Sequence, residues 1–127
     1  MEIVRTASPD WEAADARHFS GPARLVRGLP AGDPAAKLFK VEFQPGVRTN
    51  WHTHSGPQWL IVLAGRCRVQ VWQETARELV PGDAVRVAPG EKHWHGATPD
   101  GPMTHLALNL DATTEWLEPV TDAQYGA

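Results

Sequence analysis

The chain has a single cysteine, Cys67, in 127 residues. No disulfide can therefore form within it, which fits a reducing compartment. Long apolar runs are also missing. The longest, Trp59 to Ala64, falls far short of the roughly 20 residues a bilayer-spanning helix needs. Met1-Glu2-Ile3-Val4-Arg5 lacks the apolar stretch and small-residue cleavage site of a secretory signal. Basic clusters are absent too: 12 Lys and Arg stand as scattered residues against 15 carboxylates, for a formal charge of -3. That balance argues against a nucleic-acid or acidic-membrane partner. Repeats, linkers and low-complexity stretches do not occur, so residues 1–127 read as one domain, soluble and cytoplasmic. Helical signals are few. Asp10 to Phe19, with Ser8 or Asp10 as cap, suits a short helix, and Thr113 to Leu117 suits a turn.

Turn chemistry is abundant. Pro and Gly punctuate the chain at Gly28 to Pro34, Pro45-Gly46, Pro81-Gly82, Pro89-Gly90 and Pro99 to Pro102. Between them lie short runs with period-two alternation, the mark of strands. Phe39 to Gln44 places Phe39, Val41 and Phe43 on one face. Trp59 to Ala64 is apolar on both faces and predicts a strand covered twice. Arg66 to Gln73, Ala84 to Val87 and Thr104 to Leu110 complete the set. Short strands with turns about every ten residues predict an all-β sandwich or barrel.

Five of the six histidines lie between positions 52 and 105. His52 and His54 are one residue apart and point to the same side of a strand. Ser55-Gly56-Pro57 is turn-forming and can bring Gln58 back beside both imidazoles. Pro89-Gly90-Glu91-Lys92-His93-Trp94-His95 adds two more imidazoles of matching parity. His52, His54, Gln58 and His93 together form a cage suited to a borderline divalent metal with open positions.

These residues resemble the cupin family. Gly46, His52, His54, Gln58 and Gly65 follow the spacing of its first motif, with Gln in place of the usual Glu. Gly82, Ala88-Pro89-Gly90 and His93 follow the second, with Ala88 where Pro is usual and Ala97 where Asn is usual. Further stretches are similar to one bacterial subgroup, the manganese-dependent cupin hydroxynitrile lyases or (R)-mandelonitrile lyases, which use a Gln ligand. They are Trp51-His52-Thr53-His54, Pro89 to Ala97, Met103-Thr104-His105-Leu106-Ala107 and Val120 to Tyr125. The resemblance covers roughly residues 38 to 125. It implies a cupin jelly-roll β-barrel with its core at about 36–112 and both terminal arms packed on it. It also implies one divalent ion held by His52, His54, Gln58 and His93. Mn2+ is the ion of the subgroup, and His and Gln donors also accept Fe2+, Ni2+ or Zn2+.

Neutral ligands leave such an ion its full charge, which favours Lewis-acid chemistry over redox chemistry. The expected activity is a carbon–carbon lyase converting a cyanohydrin to an aldehyde and cyanide. A cupin dioxygenase and a non-catalytic small-molecule-binding cupin are the alternatives. His105 and His95 are the candidate acid–base residues, His105 by resemblance the base. The structural alternatives are a core histidine at His105 and a ligand support at His95. Parity nominates Phe39, Val41, Leu60, Val62 and Asn109 as walls of a pocket for a small molecule. Trp59, Ile61 and Leu63 on the opposite face call for a cover, which a second sheet or a partner in a homodimer or higher homo-oligomer would supply. Trp51 and Trp94 are expected to pack, Cys67 to be a small buried hydrophobe, Glu91 and Lys92 to be solvated, and Asp83 to serve a turn.

Overall fold

The computed structural model describes residues 1, 3–5, 10–28 and 35–126. The turn read at Gly28 to Pro34 lies outside these residues beyond Gly28, and so does Ser8. The alternating runs form eleven strands in chain order: β1 (Glu12–Ala13), β2 (Ala23–Arg27), β3 (Ala36–Phe43), β4 (His52–His54), β5 (Gln58–Ala64), β6 (Cys67–Val71), β7 (Arg77–Leu79), β8 (Ala84–Val87), β9 (His93–Ala97), β10 (Met103–Leu110) and β11 (Thr114–Trp116). Among the described residues a single short helix, α1 (Asp122–Gly126), follows. No helix among the described residues is long and apolar enough to cross a membrane.

All pairings are antiparallel, in two sheets. One has the order β1-β2-β3-β10-β5-β8 and the other β11-β4-β9-β6-β7. Strands distant in sequence are neighbours, as a jelly roll requires. Proline followed by glycine makes the corners: Gly46, Gly82 and Gly90 have φ of 76°, 94° and 77°, a region where a side chain would be strained. At the corner after Gly82, the Asp83 carboxylate accepts a hydrogen bond from the Val80 amide at 2.9 Å.

Period-two alternation decides what faces inward. Val41 and Phe43 of β3, Val62 of β5 and Met103 of β10 meet Cys67 and Ala97 of the facing sheet in the main core. β9 is buried along its whole length because both its faces are covered. His93, His95 and Ala97 point between the sheets. Trp94 points outward into a second core with Trp51, Val120 and Tyr125, supplied by the C-terminal arm. Tyr125 locks the arm down by donating from its hydroxyl to the Ala97 carbonyl at 2.6 Å. The Arg48 guanidinium donates to the Val120 carbonyl at 2.8 Å and to Asp122 at 2.9 Å.

Several expectations are corrected. Asp10 to Phe19 is not a helix: Glu12 and Ala13 pair with Leu25 and Arg24, adding an edge strand to the larger sheet. Thr113 to Leu117 contains β11, whose Thr114 and Trp116 pair with His54 and His52. In each case sheet pairing overrides a short local propensity. Trp59 and Leu63 are 37% and 44% exposed, so β5 is covered on one face only within this chain. Glu91 accepts a hydrogen bond from the Ala88 amide at 2.7 Å. Lys92 sits with its ammonium 3.7 Å from the Trp72 ring centroid and 2.8 Å from Glu118. Both therefore brace the loop before β9 instead of being solvated.

Candidate metal centre

The two halves of the histidine pattern meet through strand pairing. His52 of β4 lies directly opposite His93 of β9, and parity sends His54 and His95 to the same interior side. The facing sheet contributes Gln58 from β5, with His105 and Asn109 from β10. Gln58 reaches its place because the chain turns tightly at Gly56. A Cβ there would run into the Leu110 carbonyl oxygen. All seven side chains are buried.

Hydrogen bonding shows which ring atoms are free. His52 Nδ1 is 2.9 Å from the Asn50 carbonyl, and His93 Nδ1 is 2.8 Å from the Glu91 carbonyl. A carbonyl can only accept, so each Nδ1 carries the proton and each Nε2 keeps its lone pair. His54 Nδ1 is held at 2.9 Å by the Thr114 hydroxyl. Its Nε2 is buried without a hydrogen-bond partner.

The fourth donor is set with equal definition. Gln58 Nε2 donates to Asn109 Oδ1 at 2.8 Å, which turns Gln58 Oε1 toward His93 Nε2 at 3.0 Å. Burial pushes the His93 imidazole down to about 4, so near neutrality both atoms are acceptors and face each other. Two lone pairs at that distance repel unless a cation lies between them. Adjacent donors around an octahedral ion with bonds of about 2.1 Å are themselves about 3.0 Å apart. The buried, unpartnered His54 Nε2 completes the argument that these residues fit a metal ion.

The other four imidazoles of the cluster are pushed in the same direction. Burial, followed by the neighbouring His93, lowers His54 to about 4, with Gln58 acting in the opposite direction. Burial alone is the chief cause for His105, lowered to about 4. For His52 and His95 burial comes first and neighbouring imidazoles second, and both fall well below the usual value. A ligand histidine must be deprotonated, and each of these is.

His52, His93 and His95 each place a ring nitrogen within 4.8 Å of the others, so three buried histidines can hold a metal ion. His54 adjoins them, with its ring centroid 4.9 Å from that of His52 and 5.3 Å from that of His93. His95 differs from the other rings in one respect. Its Nδ1 is tied at 2.9 Å to another imidazole, His105 Nε2, instead of to an oxygen of the wall. The outer nitrogens of this pair, His95 Nε2 and His105 Nδ1, have no hydrogen-bond partner.

A cavity of about 610 Å³ opens beside the cluster. Phe39, Val41, Asn109, His95 and His105 line it, as parity predicts. Leu60 and Val62 do not. Both face inward but are 0% and 1% exposed, closed into the packed core. Parity identifies a face, not an open space. Sequence reasoning missed Thr114, which orients His54. It also missed Trp116, whose ring lies 4.6 Å from His52 and stacks at 4.2 Å on His18. Only the alternation Thr114-Glu115-Trp116 hinted at a strand there.

Comparison with known proteins agrees with this architecture. The cupin domain family matches residues 39–109. The chain belongs to the cupin family. This cupin is 46% identical to a (R)-mandelonitrile lyase of Granulicella tundricola, over 98% of both chains. A cupin-like protein from Thermotoga maritima superposes with a TM-score of 0.85 at 34% identity, over 89% of both chains. A polyketide cyclase from Streptomyces resistomycificus shares the fold with a TM-score of 0.75, over 98% of this cupin and 90% of that chain, but at 20% identity it informs on fold alone.

Proposed function

We propose that this cupin is a metal-dependent carbon–carbon lyase of the hydroxynitrile type, holding one divalent ion, Mn2+, through His52, His54, Gln58 and His93. The observation that carries the proposal is a cage of lone pairs beside a buried imidazole pair, His95 and His105, on the wall of one cavity. His54 is preferred to His95 as a ligand because His52, His54 and His93 share one arrangement: Nδ1 is held by an oxygen and Nε2 is left free. The similarity to a (R)-mandelonitrile lyase supports the reaction type.

When bound, the ion supplies Lewis acidity toward the oxygen of the substrate, and four neutral donors leave its charge undiminished. The protein's own contribution is proton handling. One hydrogen lies between His105 Nε2 and His95 Nδ1, so at any moment one outer nitrogen carries a proton and the other is free. His105 accepts the hydroxyl proton of the cyanohydrin. The carbon–carbon bond then breaks, its electron pair leaves on cyanide, and the aldehyde carbonyl forms. Returning a proton from the imidazole pair to cyanide completes the balance. Burial keeps both rings neutral near pH 7 and therefore able to accept. Phe39, Val41 and Ala107 present a dry wall to the organic part of the substrate.

The test is benzaldehyde release from mandelonitrile without oxygen, comparing manganese-loaded with metal-stripped protein. Release is expected to need the metal, to ignore oxygen, and to fall at least a hundredfold in His105→Ala, the usual scale for losing a general base. Turnover only in the presence of oxygen would instead identify a dioxygenase. No turnover above free manganese would refute cyanohydrin cleavage of this substrate.

A further inference from the structure

Strand register places two cations, Arg27 and Lys37, on the interior wall of the cavity. Across the larger sheet, Lys37 of β3 pairs with Asn109 of β10, and Asn109 pairs with Gln58 of β5. These three residues form a row on the inward side, two strand spacings or about 10 Å from end to end. Asn109 and Gln58 are the hydrogen-bonded pair of the metal centre. Lys37 is the outer end of the row and lines the same cavity.

The other charges on the cavity wall are satisfied. Arg27 is paired with Glu12 at 3.0 Å and lies over the Phe39 ring at 5.5 Å. Asp15 is paired with Arg17 at 2.6 Å. No ion pair within the described residues engages Lys37. Between the Lys37 row and the row of His105 and Val41, the register sets Phe39 beside Ala107 as an apolar step that also lines the cavity. Along β3 and β10 the wall thus runs from His105, through an apolar step, to a positive charge that no ion pair among the described residues engages.

We infer that the substrate of this cupin carries a carboxylate at the end remote from its reacting carbon, and that Lys37 is the specificity residue that binds it. This deepens the lyase proposal, since it names the substrate class for the same site. A small aromatic or aliphatic body would lie along Phe39 and Ala107 with its hydroxyl toward the histidine cluster. Its carboxylate would then come within reach of the flexible Lys37 side chain. Arg27 is unsuited to this role because Glu12 already neutralises it. An ammonium at a cavity rim attracts an anion modestly, so the expected preference is on the order of tenfold.

Calorimetric titration of the manganese-loaded protein with 4-carboxybenzyl alcohol and with benzyl alcohol tests this without requiring turnover. The carboxylate should bind roughly tenfold more tightly, and added salt should reduce the difference. Lys37→Met should erase the preference while leaving benzyl alcohol binding unchanged, and Lys37→Arg should preserve it. Lys37 is exposed, so these variants should fold normally, and circular dichroism would verify that. Equal affinity for the two alcohols, a preference that survives in Lys37→Met, or binding of neither would overturn the inference. Lack of mandelonitrile cleavage alongside a Lys37-dependent preference would refute cleavage of that cyanohydrin and leave this inference standing.

Discussion

At the residue scale, three histidines are distinguished from a fourth by what holds their Nδ1 atoms. Carbonyls hold His52 and His93, and a hydroxyl holds His54, while His95 is tied to His105. On the proposed function this difference would separate ligands from proton carriers, and metal analysis can read it out. His54→Ala should lose most bound manganese after dialysis, and His95→Ala should keep it while losing activity. Thr114→Val should weaken manganese affinity by roughly tenfold, because the hydroxyl that orients His54 is gone. Retention of full metal by His54→Ala together with its loss in His95→Ala would exchange the two roles.

At the element scale, the site depends on one close approach. The turn Ser55-Gly56-Pro57 passes so near the Leu110 carbonyl that no side chain fits at Gly56. The obstacle is backbone at the end of β10 and has little freedom to move. Gly56→Ala should therefore cost about 2–4 kcal/mol and displace Gln58 from His93. Urea unfolding and manganese titration would register the two effects separately, and a change in stability within about 0.5 kcal/mol would contradict the packing argument. β9 shows a second dependence on its surroundings. Its histidines face the site by strand parity, and the C-terminal arm packs on Trp94 at the reverse face.

For the whole molecule, burial of neutral imidazoles couples stability to pH. Burial lowers His54, His93 and His105 each to about 4, from the 6.5 usual for an imidazole. Between those limits the unfolded chain binds protons that the folded chain refuses, so stability falls as pH drops. Metal-stripped protein should be most stable above about pH 6.5, and its Tm should drop by roughly 10 °C between pH 7 and pH 5. Differential scanning calorimetry would detect this, and a flat profile over that range would contradict it. Bound metal should deepen the effect, since protons then compete with it for the same nitrogens. The outer face of the larger sheet is a second property of the whole. Trp59 and Leu63 are exposed there, and on β10 the register sets Leu108 beside Trp59 and Leu106 beside Ile61. We propose that a second copy covers this apolar surface. Light scattering should report a dimer at micromolar concentration and a monomer for Trp59→Lys. A monomeric wild-type protein would exclude the interface.

The amino-acid sequence by itself determined the fold class and, among the described residues, the turn positions, because both are local. Alternation at Phe39 to Gln44 needs only neighbouring residues to be read, as do the Pro-Gly corners and the spacing of His52, His54 and Gln58. Two short segments were misread, Asp10 to Phe19 and Thr113 to Leu117, because edge strands take their conformation from the strand they join. Tertiary structure alone decided that Gln58 Oε1 confronts His93 Nε2, that His95 and His105 share a hydrogen, and that Leu60 and Val62 close the core instead of lining the cavity. Each of these depends on how one sheet lies over the other. It also put Lys37, Asn109 and Gln58 in one row, since a register between strands far apart in the chain is set by packing and not by the spacing of residues along it.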